Sequence, residues 1–390
     1  MRSLVFATFA AVVATVVAPS AHAQLKFPDG TTQKTAFGGS NTVSTGTNST
    51  VAGGADNAAT GAFSTIAGGI TNDATGEAST VAGGFANQAT QIDSAVAGGS
   101  ENTASGAGAF IGGGSQNIAS ANYSVATGGL TNESADLYSS IGGGTLNFSA
   151  GDASTVAGGY FNDATNLDAA VGGGSENIAS GLASIIPGGS QNTAAGDLSF
   201  ASGFGATVDA LHDGAMLMAD GRQFFFFSAR ANEFAVRATG GVRLVTGVNA
   251  SANGVPNAGV QLNPGGGTWL SLSDRNAKEN IVPVDGRTVL EKVAALPLNE
   301  WNYKSQDETE RHLGPMAQDF HAAFGLGPDD VHIADLDLGG VALAAIQGLY
   351  AQVRQENERL KSELDAKSAE MAAMQAQLNQ IAARLDTEKR

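Results

Sequence analysis

The chain contains no cysteine. That excludes a disulfide framework, a thiolate metal site and a cysteine nucleophile. An exported protein of this kind must be held together by packing, strand pairing or oligomerisation. Positive charge is missing over a long stretch: residues 35–221 hold no Lys or Arg, against 15 Asp plus Glu, in a chain of formal net charge −17. Nucleic-acid binding is driven by phosphate neutralisation, and a cation-free surface repels phosphate. Nucleic acid and anionic lipid are therefore not expected as partners of the N-terminal half. Proline is sparse at 9 residues while glycine reaches 53. Glycine enrichment without proline points to repeats rather than to an ordinary globule.

Long apolar runs are scarce too. The exception is residues 4–17, which follow Arg2 and precede Ala21-His22-Ala23, a small-x-small cleavage site. This pattern predicts a secretory signal over residues 1–23 and a mature chain starting at Gln24. The run is shorter than the roughly 20 residues of a membrane span, although an uncleaved anchor is the other reading. No later segment reads as long and apolar enough to cross a bilayer, so no direct membrane span is expected after signal removal.

What is present is a repeat. Gly-Gly pairs recur at a spacing of 15 in eleven copies, from Gly38-Gly39 to Gly188-Gly189, without insertions. Asn follows the last ten pairs at a fixed offset, from Asn57 to Asn192. A β-branched residue usually stands two before the pair, as at Ile66, Val81 and Val96, and small Ala or Ser recurs at Ala59, Ala74 and Ala89. A fixed period means one supersecondary unit stacked many times. Fifteen residues suffice for two short strands and two turns, and Gly-Gly disfavours helix. Glycine at the pair permits positive φ. The Asn side chains either bond locally in a turn or form a ladder between coils. At about 4.8 Å per strand, eleven coils make a rod of roughly 50 Å. The core of such a rod is thin, so association with identical rods is expected to bury a second face.

The run Ser64-Thr65-Ile66-Ala67-Gly68-Gly69 through Asn72, Ala74 and Gly76 resembles YadA-like heads of trimeric autotransporter adhesins. The resemblance implies a left-handed parallel β-roll in a homotrimer over residues 38–205. The repeat departs from those heads, which more often use 14 residues. No C-terminal membrane β-barrel segment is recognised, so autotransport and direct outer-membrane anchoring are not expected. An inert spacer is the alternative reading of the repeats.

Residues 206–272 lose the period and gain aromatics. Phe224-Phe225-Phe226-Phe227, Phe234-Ala235-Val236-Arg237 and Val242-Arg243-Leu244-Val245 read as strands of a β-rich connector. The phenylalanines are expected in a buried interface, or else in a carbohydrate-stacking site.

Ser273-Asp274-Arg275-Asn276-Ala277-Lys278-Glu279-Asn280 follows. Taken alone it reads as a helix N-cap with a first-turn charge. With Trp301, Tyr303, His312-Leu313-Gly314 and Ala317-Gln318-Asp319 in order, it resembles the endosialidase-type intramolecular chaperone of phage tail spikes, the peptidase S74 family. The resemblance implies autoproteolysis at Leu272–Ser273 by a Ser-Lys pair, with Ser273 as nucleophile and Lys278 as general base. Asp274, His312 and Gly314 are carried over as supporting residues, His312 to orient the site or stabilise the oxyanion. A lysine acts as a base only when neutral, which burial or nearby cations favour. A chaperone fold that has lost cleavage is the alternative. His212, His321 and His332 show no ligand spacing, and no metal or other cofactor is expected.

From Ile346 to Leu385 apolar residues alternate in steps of four and three, with Asn357 at one core position. This is a coiled-coil pattern, read as trimeric by the resemblances at both ends of the chain.

The expected order is a signal peptide over 1–23, an N-terminal segment over 24–37, head repeats over 38–205 and a connector over 206–272. A small α/β self-cleaving chaperone follows over 273–340, and a coiled-coil helix over 341–390. The expected protein is a mainly β, secreted or surface fibre. Its partners are its own copies and an unidentified host-surface or glycan target. A glycan-binding or glycan-degrading spike is the alternative, opposed by the absence of paired carboxylates in an aromatic cleft.

Overall fold

The computed structural model describes residues 42–249 and 254–388. The expected export signal, the segment over 24–37 and the first Gly pair lie outside the described residues. The chain divides into two compact units, Met1–Gly241 and Val242–Arg390.

The first unit is a parallel β-solenoid. In the coil that contains Asn72, Asp73–Ala74 forms one strand and Thr80–Val81 the other. Each pairs in parallel with the residue fifteen further on, Asp73 with Gln88 and Thr80 with Ala95. Stacking produces a 13-stranded sheet and a 14-stranded sheet. A strand points alternate side chains to opposite faces. Ala74 and Val81 therefore enter the core with no exposed surface, while Asp73 and Thr80 face out. The core is as thin as the pattern predicts: one Ile or Val and one Ala or Ser from most coils.

The ten Asn residues are buried between the sheets and bond both locally and between coils. Asn87 Oδ1 accepts from the backbone N–H of Asn102 at 3.1 Å and from its Nδ2 at 3.0 Å. Asn87 Nδ2 donates to the Gly83 carbonyl of its own coil at 3.0 Å and to the Gly99 carbonyl of the next at 2.9 Å. Leaving such buried groups unpaired would cost about 1–3 kcal/mol each, so the ladder joins every coil to its neighbour. It ends at Asn192, whose Oδ1 accepts from Ala206 N–H.

The two glycines of a pair differ. The second, as at Gly84, has φ +100°, and an added Cβ would stand 2.2 Å from the Gly99 carbonyl oxygen. The first, as at Gly98, has open space beside it. Sequence reasoning missed the left-handed residues that are not glycine. One precedes each Asn, as at Thr71, Glu101 and Phe161, and another precedes most buried Ser sites, as at Phe63 and Tyr138. Their N–H groups bond backward, Thr71 to Ala55 O and Phe63 to Thr47 O, while strand N–H groups bond forward. Reversing the N–H is what the left-handed conformation accomplishes, and the ladder compensates its strain.

The apolar core is interrupted once. Ala126 fills the inward site occupied by Ile111 and Ile141 in the flanking strands. One core cluster ends at Ala126 and the next begins at Ile141. Ala126→Val restores two buried carbons. At about 0.8 kcal/mol each it should stabilise the solenoid by about 1.5 kcal/mol, read as a higher urea midpoint.

Stacking continues past residue 205, the expected head boundary. Ala206–Val208 and Phe226–Phe227 extend one sheet, and Met216–Ala219 and Phe234–Arg237 the other. Irregular loops between these strands hide the period. Arg237 closes this end. Its guanidinium bonds Asp220 Oδ1 at 2.9 Å and the carbonyls of Phe204 and Arg222 at 3.1 and 2.8 Å, and it also bonds Phe224 O. Thr239 donates to Asp220 Oδ2 through its hydroxyl at 2.6 Å and its N–H at 2.7 Å. The Thr239 bonds first, and Arg237 after them, hold the Asp220 carboxyl well below the usual carboxylate range. A lowered folded-state pKa gives stability that is complete above about pH 4, the unfolded value, and lost as pH falls through the folded one. Thr239→Val should raise the Asp220 pKa in a carboxyl NMR titration and move acid unfolding to higher pH.

The second unit begins with an antiparallel sheet of Val242–Asn249, Val255–Leu262 and Leu270–Ser271. Helix α1 (Gly286–Ala295), a two-stranded ribbon of Asn299–Trp301 and His312–Gly314, helix α2 (Ala317–Phe324) and helix α3 (Asp335–Glu388) follow. Val289, Phe320, Val341 and Ala345 form its core. Helices α1 and α3 cross at Gly286 and Gly348, where a Cβ on Gly348 would lie 2.1 Å from Gly286 O. By length and composition α3 is apolar enough to cross a bilayer. This corrects the reading that no later segment qualifies. Its apolar residues, however, repeat at heptad spacing, the pattern of a helix that packs on helices.

Candidate self-cleavage site

The site grows from the three-stranded sheet. Leu270–Ser271 pairs with the middle strand, and Leu272 N–H continues the pairing by donating to Gly259 O at 3.1 Å. Gly259 is required for the middle strand to pair with the first, since a Cβ there would lie 2.3 Å from Leu244 O. The chain then turns. Asp274 caps a one-turn 3-10 helix, Arg275–Ala277, with its carboxylate accepting from Asn276 N–H at 3.0 Å and Asn276 Nδ2 at 3.1 Å. Its closing bond, from Lys278 N–H to Arg275 O at 3.2 Å, folds the chain back. Lys278 Nζ consequently donates to Ser273 Oγ at 2.6 Å. A cavity of about 180 Å³ opens beside this pair, with Arg243, Pro256, Gly259, Leu270, Leu272 and Ser273 in its wall. Ser273 and Lys278 are themselves exposed.

His312 and Gly314 lie elsewhere in the unit. Trp301 pairs with His312 and Asn299 with Gly314 across the ribbon. The His312 ring is 4.7 Å from Trp301 and 6.0 Å from Tyr303. Its Nε2 bonds Gln306 Oε1 at 3.1 Å, an oxygen that also accepts from Tyr303 N–H at 2.9 Å. Trp301 Nε1 is buried with no hydrogen-bond partner. Among the described residues, no hydrogen bond or ring contact links His312 or Gly314 to Ser273 or Lys278. The structure therefore brings together Ser273, Lys278 and the capping Asp274, with Leu272 adjacent, and leaves the His312 cluster apart.

Sequence reasoning missed Gly259, Asn276 and Gln306. An Asp two residues before an Asn, opening a short turn, was a readable signal for Asn276. Gly259 and Gln306 carried none, because their roles arise from a strand register and a ring contact.

Comparison with curated proteins gives no match. Residues 79–90, inside the solenoid, match the family model of the ubiquitous surface protein adhesin repeat. Residues 273–332, which run from Ser273 to His332 and include the aromatic cluster, match peptidase S74, the chaperone of endosialidase. A solenoid that contains a match to an adhesin repeat thus precedes a segment similar to the chaperone of endosialidase, which supports a surface- or fibre-like protein.

Proposed function

We propose that this chain forms a secreted or surface homotrimeric fibre whose residues 273–390 direct assembly and then cut the bond between Leu272 and Ser273. The observation that carries this reading is the 2.6 Å contact between Lys278 Nζ and Ser273 Oγ, directly beside that bond. Neutral Lys278 takes the Ser273 hydroxyl proton, and Oγ attacks the Leu272 carbonyl carbon. The C–N bond breaks as the Ser273 nitrogen takes a proton, leaving an ester between Leu272 and Ser273 Oγ. Water hydrolyses the ester to a Leu272 carboxylate and a free Ser273 hydroxyl. The scissile bond lies in the same chain, so effective concentration is high from the start. Asp274 acts as a positioning residue, through the turn that it caps. His312 and Gly314 are supporting residues by resemblance to the family, and His312 is held by Gln306 and the Trp301 ring rather than by a bond to the dyad.

Assembly supplies what one chain lacks. Removing water from an amine favours its neutral form, and in the single chain both members of the dyad are exposed. The apolar seam of α3 is likewise uncovered: Leu364 is 66% exposed and Leu378 57%. Three copies winding these helices together would cover the seam. Intact mass and sedimentation test the reading. Wild type should give fragments ending at Leu272 and starting at Ser273, Ser273→Ala should remain whole, and both should sediment as trimers. A folded monomer would overturn it.

A further inference from the structure

Cutting between Leu272 and Ser273 creates negative charge where the uncut chain has none. Attack by Ser273 Oγ places an electron pair on the Leu272 carbonyl oxygen, which returns it as the C–N bond breaks. Attack by water on the ester places a pair there again, and hydrolysis ends on a Leu272 carboxylate. A chain of formal net charge −17 opposes each of these anions. The cavity beside the dyad has the opposite sign. Among the described residues Arg243 is the one charged side chain in its wall, which Gln261, Leu272 and Ser273 also line. The register accounts for this placement. Arg243 pairs with Gln261, and Gln261 with Leu270, across the three strands. Directly paired residues share a face of a sheet, and Leu272, two on from Leu270, points to the same face. Among the described residues no carboxylate lies within ion-pair distance of Arg243, and its guanidinium has no hydrogen-bond partner.

We infer that Arg243 stabilises the anion formed on Leu272, first the oxyanion of each attack and then the carboxylate. The inference rests on the self-cleavage reading above and adds a third group to it. A fixed positive charge favours the reaction because it interacts more strongly with the oxyanion than with the neutral peptide bond. An arginine keeps its charge where a lysine loses it. Arg243 can therefore supply the charge while Lys278 supplies the base. The two stand on opposite sides of the cut. Lys278 belongs to the segment after it, whereas strand pairing holds Arg243 on one sheet with Leu272. The cation thus stays with the new carboxylate when the Ser273 amine is free to leave. Arg243 is exposed, so it acts across a cavity open to water, and salt screens the effect.

Cutting of the full chain is timed by intact mass for wild type, Arg243→Gln and Arg243→Lys. Each is run at about 10 mM and about 1 M salt, between which the Debye length falls from about 30 Å to about 3 Å. At low salt Arg243→Gln should cut about tenfold more slowly than wild type and at the same bond, the order of effect of one charge at an effective dielectric of about 20. Arg243→Lys keeps the charge and should cut within about threefold of wild type. At high salt the gap between wild type and Arg243→Gln should close to about twofold, so wild type itself should slow about fivefold. That last readout needs no substitution and holds even if Arg243→Gln misfolds. In cut chains labelled at the leucine carbonyl carbon, the Leu272 carboxylate should titrate at lower pH in wild type than in Arg243→Gln. Cutting of Arg243→Gln at the wild-type rate, an Arg243→Lys as slow as Arg243→Gln, a wild-type rate indifferent to salt, or equal titration of the two carboxylates overturns the role of Arg243 and leaves the dyad standing. A wild type that stays whole overturns the self-cleavage reading and this inference with it.

Discussion

Lys278→Met should leave the chain in one piece under conditions where wild type is fully cut. The substitution keeps the length and apolar stem of the side chain but removes the amine that contacts Ser273 Oγ. Positioned general bases contribute about 10²–10⁴ in rate, so a reaction complete in an hour would take at least several days. Ser273→Ala should give no cut product at all, because the attacking oxygen is gone. Asp274→Ala separates positioning from chemistry. It loosens the turn that Asp274 caps through Asn276 and should slow cutting about fivefold while the cut stays at the same bond, since loss of an N-cap costs about 1 kcal/mol. Time courses of intact mass distinguish the three. Rapid cutting of Lys278→Met would remove the dyad from the mechanism while leaving the assembly unaffected.

Gly129→Ala should prevent the solenoid from closing at its middle, whereas Gly128→Ala should be tolerated. The two positions are adjacent in sequence and opposite in environment. At Gly129 φ is +94°, and a Cβ would stand 2.1 Å from Gly144 O and 2.5 Å from Asn132 Nδ2. Both atoms belong to the ladder, so the methyl group must push two coils apart or break the Asn132 bonds to Gly128 and Gly144 at 2.8 and 2.9 Å. Unpairing two or three such groups, with left-handed strain added, costs on the order of 5 kcal/mol. At Gly128 the nearest atoms are about 4 Å away and φ is not in the left-handed region. Removing a glycine there even restricts the unfolded chain, which favours folding by about 0.5 kcal/mol. Circular dichroism with urea should show a near-native midpoint for Gly128→Ala and a loss of cooperativity for Gly129→Ala. Equal effects would mean that the ladder does not bind coil to coil.

The contrast shows what a repeat discloses and what it conceals. Spacing alone revealed the coil, its buried Val81 and Ala74 and the turn at each Gly pair, because a period of fifteen leaves few ways to bury one face. It did not reveal which glycine was indispensable, since both look alike until coils are stacked. It also concealed Phe161 and Tyr138 in left-handed turns, where propensity favours Gly or Asn. Contacts with the neighbouring coils decide those conformations. At Tyr138 the ring stacks on Tyr123 at 5.4 Å, and an added Cβ on Gly108 would touch the Tyr123 ring at 2.9 Å. The column thus has a glycine where an aromatic lies over it. The continuation of the solenoid to Arg237 was hidden for a different reason: loops of unequal length separate strands that still stack. In the candidate cleavage site, Ser273 and Lys278 were legible as a motif, whereas the Gly259 carbonyl that holds Leu272 depends on a pairing between distant strands.

The Arg237 clamp has a consequence for biosynthesis. Each coil offers its open edge to the next, and the described end that is sealed lies at residues 220–239. A ribosome delivers those residues after every repeat has emerged. Nascent rods must therefore wait with a bare strand edge exposed, and slowing translation just upstream of codon 220 should lengthen the interval in which neighbouring chains can mispair.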